Sequence, residues 1–520
     1  MEGKVVYSGT PRTYFPNFVF EEDALIKGGL ISGSSYEKAM ELKKESFSQQ
    51  NRDILVEVLK DQYSTIKNAK GASNIDLLAD RNTFTITTGQ QIHIFLGPMY
   101  VHNKILSAVE HAEKLKRKFP NKTFVPIFWM AAEDHDMDEI DYINLFGEKR
   151  SWNHNHKGIS GDCPTEGLTE WMNALVSGKN GINPRYLDLF TKAYTEYNNL
   201  ADATRFLVDQ IYGDEGILVV NADDKRLKEI FKSNILKDII HQGFNKGISE
   251  QTATLKSQGI KGIISPRSTN FFYIASDGIR RRLDRIEDTY STTDRKFTWG
   301  KDQISQEIDE HPERFSPNVA LRPLYQETVL PNISYIAGPS EYVYWMQIQK
   351  TFEDIPAPLL KLRNTYIYVP EKAWNKITKY SETTEFLFDE EELFIKKWSS
   401  LALGDNPIEK VWEEQKQKIE TDLDFLKKSN VPNLKLLSNI SKGYLGDLKK
   451  LYKEFSNRQK EHPETRQKIE SLLKIKRQFF DTQEKWERKT YFFEHVLLRT
   501  DENPSKTRGS EGNLIHIQCG

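Results

Sequence analysis

A chain of 520 residues is too long for a single hydrophobic core, and roughly two to four domains are expected of it. Apolar residues at 38% and charged residues at 28% exclude a disordered chain. The balance of 73 basic against 75 acidic residues, net -2, excludes a basic nucleic-acid footprint or a polybasic membrane patch over the molecule as a whole.

The N-terminus, MEGKVVYSGTPRTYF, lacks the basic and then apolar stretches of a secretory signal. No apolar run reaches the ~18 residues of a membrane span. Only Cys163 and Cys519 are present, too far apart for a CxxC motif, so a disulfide framework or cysteine-rich zinc site is excluded and a reducing compartment is indicated. A soluble cytoplasmic protein without nucleic-acid or membrane partners is expected.

Loops and then helix are expected up to about Leu78, with EKAMELKKESFSQQNRDILVEVLKDQY the clearest helical run. A short strand, FTITT from Phe84, follows. Ile105, Leu106, Val109, Ala112 and Leu115 then recur at helical spacing between Met99 and Phe119, and Pro120-Asn121 stops that helix. Phe124 to Met130 is a second, almost wholly apolar strand. Strand, helix, strand of these lengths is a βαβ unit, which implies parallel pairing. Further strands are expected at 217–221, 262–265, 271–275, 333–336 and 366–369, with helices such as TRFLVDQIYGD and DKRLKEIFKSNILKDIIHQG between them. The pattern is an α/β sheet with helices on both faces, interrupted by insertions.

After about Ser381 strand signals nearly vanish. Trp412, Ile419 and Leu426 recur every seven residues, Tyr444, Leu448, Leu451 and Phe455 alternate four and three, and Leu472, Phe479, Trp486 and Phe493 again step by sevens. Three antiparallel coiled-coil-like helices are expected, punctuated near Val431 and His462. Their stripes either pack internally or form a dimer seam. The expected division is a core with insertions over 1–384, a helical domain over 385–498 and a tail over 499–520, whose NLIHIQ reads as a strand returning to the core.

Three polar clusters stand at ends of these elements. TGQQ closes the first strand and GPMYVHNK opens the next helix. Amides around Gly89 and Gly97, with Lys104 in the first turns, would favour a phosphate or carboxylate; a glycine turn serving packing alone explains them equally simply. The loop is neither GxGxxG nor GxxxxGK[ST]. EDHD, Glu133 to Asp136, ends the second strand. His135 could act as general base beside a carboxylate, or the carboxylates could hold an amine or Mg²⁺. The plainer reading is an N-cap and acidic first turn for a helix over MDEIDYI, which accounts for Asp136 and Asp138 but not for Glu133 and His135. The third cluster, PNVALRPLYQETVLPNISYIAGPSEYVYW, sets Arg322 and Glu327 amid apolar residues and opens a helix near Glu341. It is either a buried Arg–Glu pair or the cation that EDHD lacks. PRSTN at 266–270 is a weak signal, GIRRRLDR reads as a solvated helix face, and HNH at 154–156 lacks a third ligand, so no metal site is assigned.

Together TGQQ...GPMY..NK, VPIFWMAAEDHD.DEI and FSPNVALRPLYQETVLP...YIAGPSEYVYW closely resemble the cysteine ligases of bacillithiol biosynthesis, the BshC family, in order over most of the chain. The resemblance implies a Rossmann-like core of the nucleotidylyltransferase and class I aminoacyl-tRNA synthetase kind, with connecting insertions and an α-helical coiled-coil domain that mediates a homodimer. It implies the last step of the pathway, joining cysteine to the free amine of glucosaminyl malate. An amide formed in water needs an activated carboxyl, so ATP is the expected co-substrate.

On that reading Gly89, Gln90, Gln91, His93, Gly97 and Lys104 bind the nucleotide or a carboxylate. Glu133 holds a substrate ammonium, His135 takes the amine proton beside Asp134, and Arg322 grips malate or developing charge. Asp136, Asn318, Glu327, Gly338 and Glu341 contact substrate. One departure stands out: the family usually has Pro or Ala, then Gly, after GQQ, where this chain has Ile92 and His93. His93 would either mimic the first histidine of the synthetase HIGH signature or lie at the surface, and the missing glycine would have supplied a positive φ. The rival readings are a nucleotide-binding transferase acting on another substrate and a non-catalytic scaffold.

Overall fold

The computed structural model describes residues 35–145, 147–257, 259–265, 267–369, 371–378, 391–395, 407–428, 434–461, 463–479, 486–497 and 513–517. The N-terminal stretch, Pro266, the VPN break, His462 and Cys519 lie outside them. Cys163 is buried.

The core is a five-stranded parallel sheet. It contains β1 (Thr83–Gln91), β2 (Thr123–Ala131), β5 (Leu218–Asn221), β11 (Asn332–Ala337) and β12 (Leu359–Leu362), in the order β12-β11-β1-β2-β5. β1 and β2 pair residue for residue from Thr83–Thr123 to Gln91–Ala131, so GQQ belongs to the strand itself. β1 is buried in spite of its threonines because their hydroxyls find partners inside: Thr87 donates to Asn332 Oδ1 (2.8 Å) and Thr88 to the Ile336 carbonyl (2.9 Å). The helix Met99–Lys118 links β1 to β2. It buries Ala108, Ala112 and Leu115 against Phe84, Ile86 and Phe124, and its last turn carries Lys116, Arg117 and Lys118, the sign a helix C-terminus favours. From β1 the chain builds outward through β2 to β5, then returns to the other side for β11 and β12. This reversal at β1 is the point where parallel α/β sheets receive ligands.

Several expectations are corrected here. The first helical run is two helices, Tyr36–Ser46 and Gln49–Tyr63, because the Ser48 side chain caps the second by accepting from Asn51 N (3.1 Å). No helix follows EDHD: a single 3-10 turn, Met137–Glu139, leads into a hairpin of β3 (Tyr142–Leu145) and β4 (Glu148–Ser151). Residues 262–265 form a loop. The strand Phe271–Ile274 (β6) belongs to a second, antiparallel sheet with β7 (Arg280–Ile286), β8 (Thr289–Thr292), β9 (Thr298–Gly300) and β10 (Phe315–Pro317). GIRRRLDR is therefore largely strand β7 rather than a helix face. β13 (Thr365–Val369) pairs antiparallel with β14 (Asn513–Ile517) instead of joining the core sheet.

The helices Pro407–Lys428, Leu434–Glu461 and Pro463–Phe479 follow, and Trp412 Nε1 reaches the Leu445 carbonyl (3.4 Å) across the first pair. The third heptad stripe does not stay on one helix. Phe493 lies on a separate helix, Phe492–Leu497, and packs 4.4 Å (ring centroids) from Phe95 in the core. Among the described residues no helix is long and apolar enough to cross a membrane.

Candidate active site

Beyond the carboxyl ends of β1, β2, β5 and β11 lies a cavity of about 780 Å³. Its walls include Gly89, Gln90, Gln91 and Lys104 from the first cluster, Glu133, Asp134, His135 and Asp136 from the second, and Asn318, Arg322, Gly338 and Glu341 from the third. Residues more than two hundred positions apart thus converge because parallel strands deliver their ends to one rim. His93, Gly97 and Glu327 do not line the cavity, which corrects their assignment as contact residues.

On one wall the Lys104 ammonium, buried on the helix Met99–Lys118, meets Glu341 Oε2 at 2.6 Å and donates to the Gly89 carbonyl and to Gln90 Oε1 (3.2 Å). Glu341 also accepts from Tyr335 OH (2.7 Å) and from Gly338 N (2.7 Å), capping its own helix, Pro339–Gln347. Burial pushes Lys104 down against the pull of Glu341. Glu341 is pushed up by burial but ends below its ordinary range because Lys104 and its donors outweigh that cost. Arg322 donates to Gln326 Oε1 (3.1 Å), Tyr344 OH (3.1 Å) and Tyr335 OH (3.4 Å), and among the described residues no carboxylate lies within 4.0 Å of it. Gly89 faces this guanidinium: a Cβ there would stand 3.3 Å from Trp129 Cβ and 3.5 Å from Arg322 Nη1.

The opposite wall is acidic. Glu133 is paired with Lys228, a fully buried lysine of the helix Lys225–Ile239 that also donates to the Phe315 carbonyl (2.9 Å). Glu133 therefore already holds an ammonium from within the chain, which weakens its expected role toward substrate. Asp134 accepts from Gln91 Nε2 (2.8 Å) and from the His135 amide (2.8 Å). His135 is half-buried. Its Nδ1 stands 3.4 Å from Arg280 Nη1 and its Nε2 3.9 Å from Asp136 Oδ1. An arginine N–H can only donate, so Nδ1 faces it as acceptor and the ring proton of the neutral imidazole sits on Nε2, toward Asp136. Asp136 makes no side-chain cap to the 3-10 turn, so the N-cap reading of EDHD is also corrected.

Arg280 is the residue that sequence reasoning missed. It leaves β7, lies 3.9 Å over the Phe272 ring, donates to Ser316 Oγ (3.0 Å) and the Pro317 carbonyl (3.0 Å), and approaches Asp134 Oδ1 at 3.5 Å. The period-two alternation of β7 appears only in its burial, with Arg281 and Leu283 inward and Arg280 on the other face, and the run of arginines hides it in the sequence. Asp223, just past β5, was also missed; burial and the nearby Glu133 charge push it up to about 7.

The three misplaced residues have structural roles. Glu327 is buried and paired with Lys43 (3.3 Å), not Arg322, and accepts from Asn332 Nδ2 (2.7 Å) and Gln326 Nε2 (3.0 Å). His93 is neither a phosphate ligand nor at the surface. It is 6% exposed, burial pushes it down to about 4, and its Nε2 stands 3.4 Å from Tyr100 OH. Its φ of -72° is ordinary. The positive φ values fall later, at Phe95, Leu96 and Gly97, and a Cβ on Gly97 would come within 2.6 Å of His93 Cβ. His154 faces Asp141 (3.5 Å) and His156 the Ile159 carbonyl (2.8 Å); among the described residues no group of three His, Cys, Asp or Glu could hold a metal ion.

Fold and cavity define a Rossmann-like α/β protein with a polar hollow of the kind that receives small ligands at a sheet's switch point. A family model described as "Bacillithiol biosynthesis BshC, N-terminal Rossmann-like domain" matches residues 29–364. The protein named "Putative cysteine ligase BshC" of Flavobacterium johnsoniae is 36% identical over 428 residues, 79% of this chain and 80% of that one. Its namesake in Christiangramia forsetii is 35% identical over 483 residues (88% and 87%), and that of Bacillus cereus 27% over 400 residues (73% and 72%). The chain belongs to the BshC family.

Proposed function

We propose that the protein is the cysteine ligase of bacillithiol synthesis, forming an amide between the carboxyl of cysteine and the amine of glucosaminyl malate. The convergence of Gln90, His135 and Arg322 on one cavity carries this reading, together with the family. Amine attack needs a proton acceptor, and the carboxyl must first be made electrophilic. ATP supplies that activation as an acyl adenylate or acyl phosphate.

The chain's own groups then divide the work. His135 takes the proton of the attacking ammonium, with Asp136 3.9 Å from Nε2 and Arg280 beside Nδ1 holding the ring edge. Asp136, with its side chain 60% exposed, and Asp134 hold the substrate ammonium, and Arg322 receives a substrate carboxylate or the charge that develops on the reacting oxygen. Lys104, held by Glu341, shapes the floor more than it supplies free charge. The cavity opens on backbone at Gly89 and Gly338, leaving room for a nucleotide's phosphates. The helical region is proposed to form a homodimer.

The test is an assay with cysteine, glucosaminyl malate and ATP. His135→Ala is expected to lose roughly 10²- to 10⁴-fold in kcat. Wild-type turnover in that variant removes the assignment.

A further inference from the structure

Residues 486–492 lie far along the chain from the parallel sheet and outside the stretch 29–364 that the family model matches, yet Arg488 among them lines the cavity. Their backbone is fixed to the site. The Met99 amide donates to the Thr490 carbonyl (2.9 Å), Phe492 N donates to the Gly97 carbonyl (2.8 Å), and Pro98 and Tyr491 form an antiparallel bridge. Glu487 is buried and forms a fork with Arg363, with Oε2 2.7 Å from Nη1. The same oxygen accepts from Asn103 Nδ2 (3.0 Å) and Thr365 Oγ1 (3.3 Å). Arg488 follows at once, clamped between these two attachments. It lines the cavity with its guanidinium 6.0 Å from the centre of the Tyr100 ring.

The cavity's cations are not equivalent. Lys104 is answered by Glu341, Arg280 by Asp134 and Arg363 by Glu487. Arg488, like Arg322 across the cavity, has no carboxylate within 4.0 Å among the described residues, and unlike Arg322 it is exposed. A buried carboxylate fork placed one residue before an unanswered guanidinium holds the arginine at the rim and leaves its donors available.

We propose that Arg488 is an anion-binding residue of the site, supplied by the C-terminal segment to take a carboxylate or phosphate of the ligand in bidentate fashion. The proposal rests on the ligase reading for which anions reach it, since glucosaminyl malate brings a dicarboxylate and ATP brings phosphates. The segment Trp486–Leu497 is therefore part of the site and not a mere terminus of the helical region. Arg488 is exposed, so its replacement is expected to leave the fold intact.

The experiment is calorimetric titration of the full chain and of Arg488→Ala with L-malate and, separately, with ATP. The variant is expected to bind one of the two probes roughly ten- to a hundred-fold more weakly than wild type. Loss confined to malate assigns the residue to the carboxylate, and loss confined to ATP assigns it to the phosphates. Arg488→Lys, which keeps the charge and not the fork, is expected to fall between. Affinities of Arg488→Ala within about two-fold of wild type for both probes, or no binding of either probe by wild type, overturn the proposal. The readout is separable from the ligase reading: a chain that makes no product but loses anion affinity in Arg488→Ala keeps this inference and loses that one.

Discussion

On the wall built by β1, β11 and the helix Pro339–Gln347, one pair of charges is answered from within the chain. Lys104 and Glu341 neutralise each other, and tyrosines and a capping amide use the remaining lone pairs. On the wall that follows β2, Asp136 is 60% exposed with His135 3.9 Å away, and His135 itself is half-buried. The first wall uses the Lys104–Glu341 pair for its own shape and leaves Arg322 for a guest's anion; the second commits Glu133 to Lys228 and keeps Asp136 and His135 for an ammonium or a proton. A cavity that must both hold its shape and exchange protons with a substrate separates those duties between its sides.

The contrast can be broken by mutating one wall at a time. Lys104→Met leaves Glu341 buried without its cation and is expected to destabilise by about 3–5 kcal/mol, much of it recovered in Lys104→Met/Glu341→Gln. Asp136→Asn on the other wall is expected to shift stability by no more than about 0.5 kcal/mol. Thermal unfolding of the three variants checks both, and equal losses on the two walls contradict the division. A smaller effect comes from His93 under the first wall. It titrates at 6.5 when unfolded and at about 4 when folded, so between those values the unfolded chain holds the extra proton. The stability that depends on neutral His93 is complete above 6.5 and is lost as pH falls through the window. His93→Gln is expected to show a shallower decline of Tm from about pH 7 to about pH 4 than wild type. A decline as steep as wild type contradicts it.

What the sequence disclosed follows the same physics. The apolar run from Phe124 announced β2 because a strand buried on both faces is apolar almost throughout, the β-branched FTITT announced β1, and abrupt polar ends on both marked the rim. β7 was illegible for the opposite reason. RRRLDR hides its alternation under arginines that are paired only in three dimensions, Arg281 with Asp277 and Asp294, and Arg280 with Asp134. The helix expected after EDHD failed because acidic residues suit a helix start and a turn alike, and the hairpin β3–β4 decided between them. His93 was misplaced because its surroundings come from distant segments: Tyr100 lies beside it, and Tyr194 and Phe493 pack around the neighbouring Phe95. Glu327 found Lys43, a partner 284 positions away that no local pattern names.

The central claim is that the hollow beyond β1, β2 and β11 is where substrate sits. A crystal structure of the protein soaked with glucosaminyl malate tests it most directly. The account predicts ligand density among Gln90, His135 and Arg322, whereas density bound elsewhere with this hollow empty would contradict it.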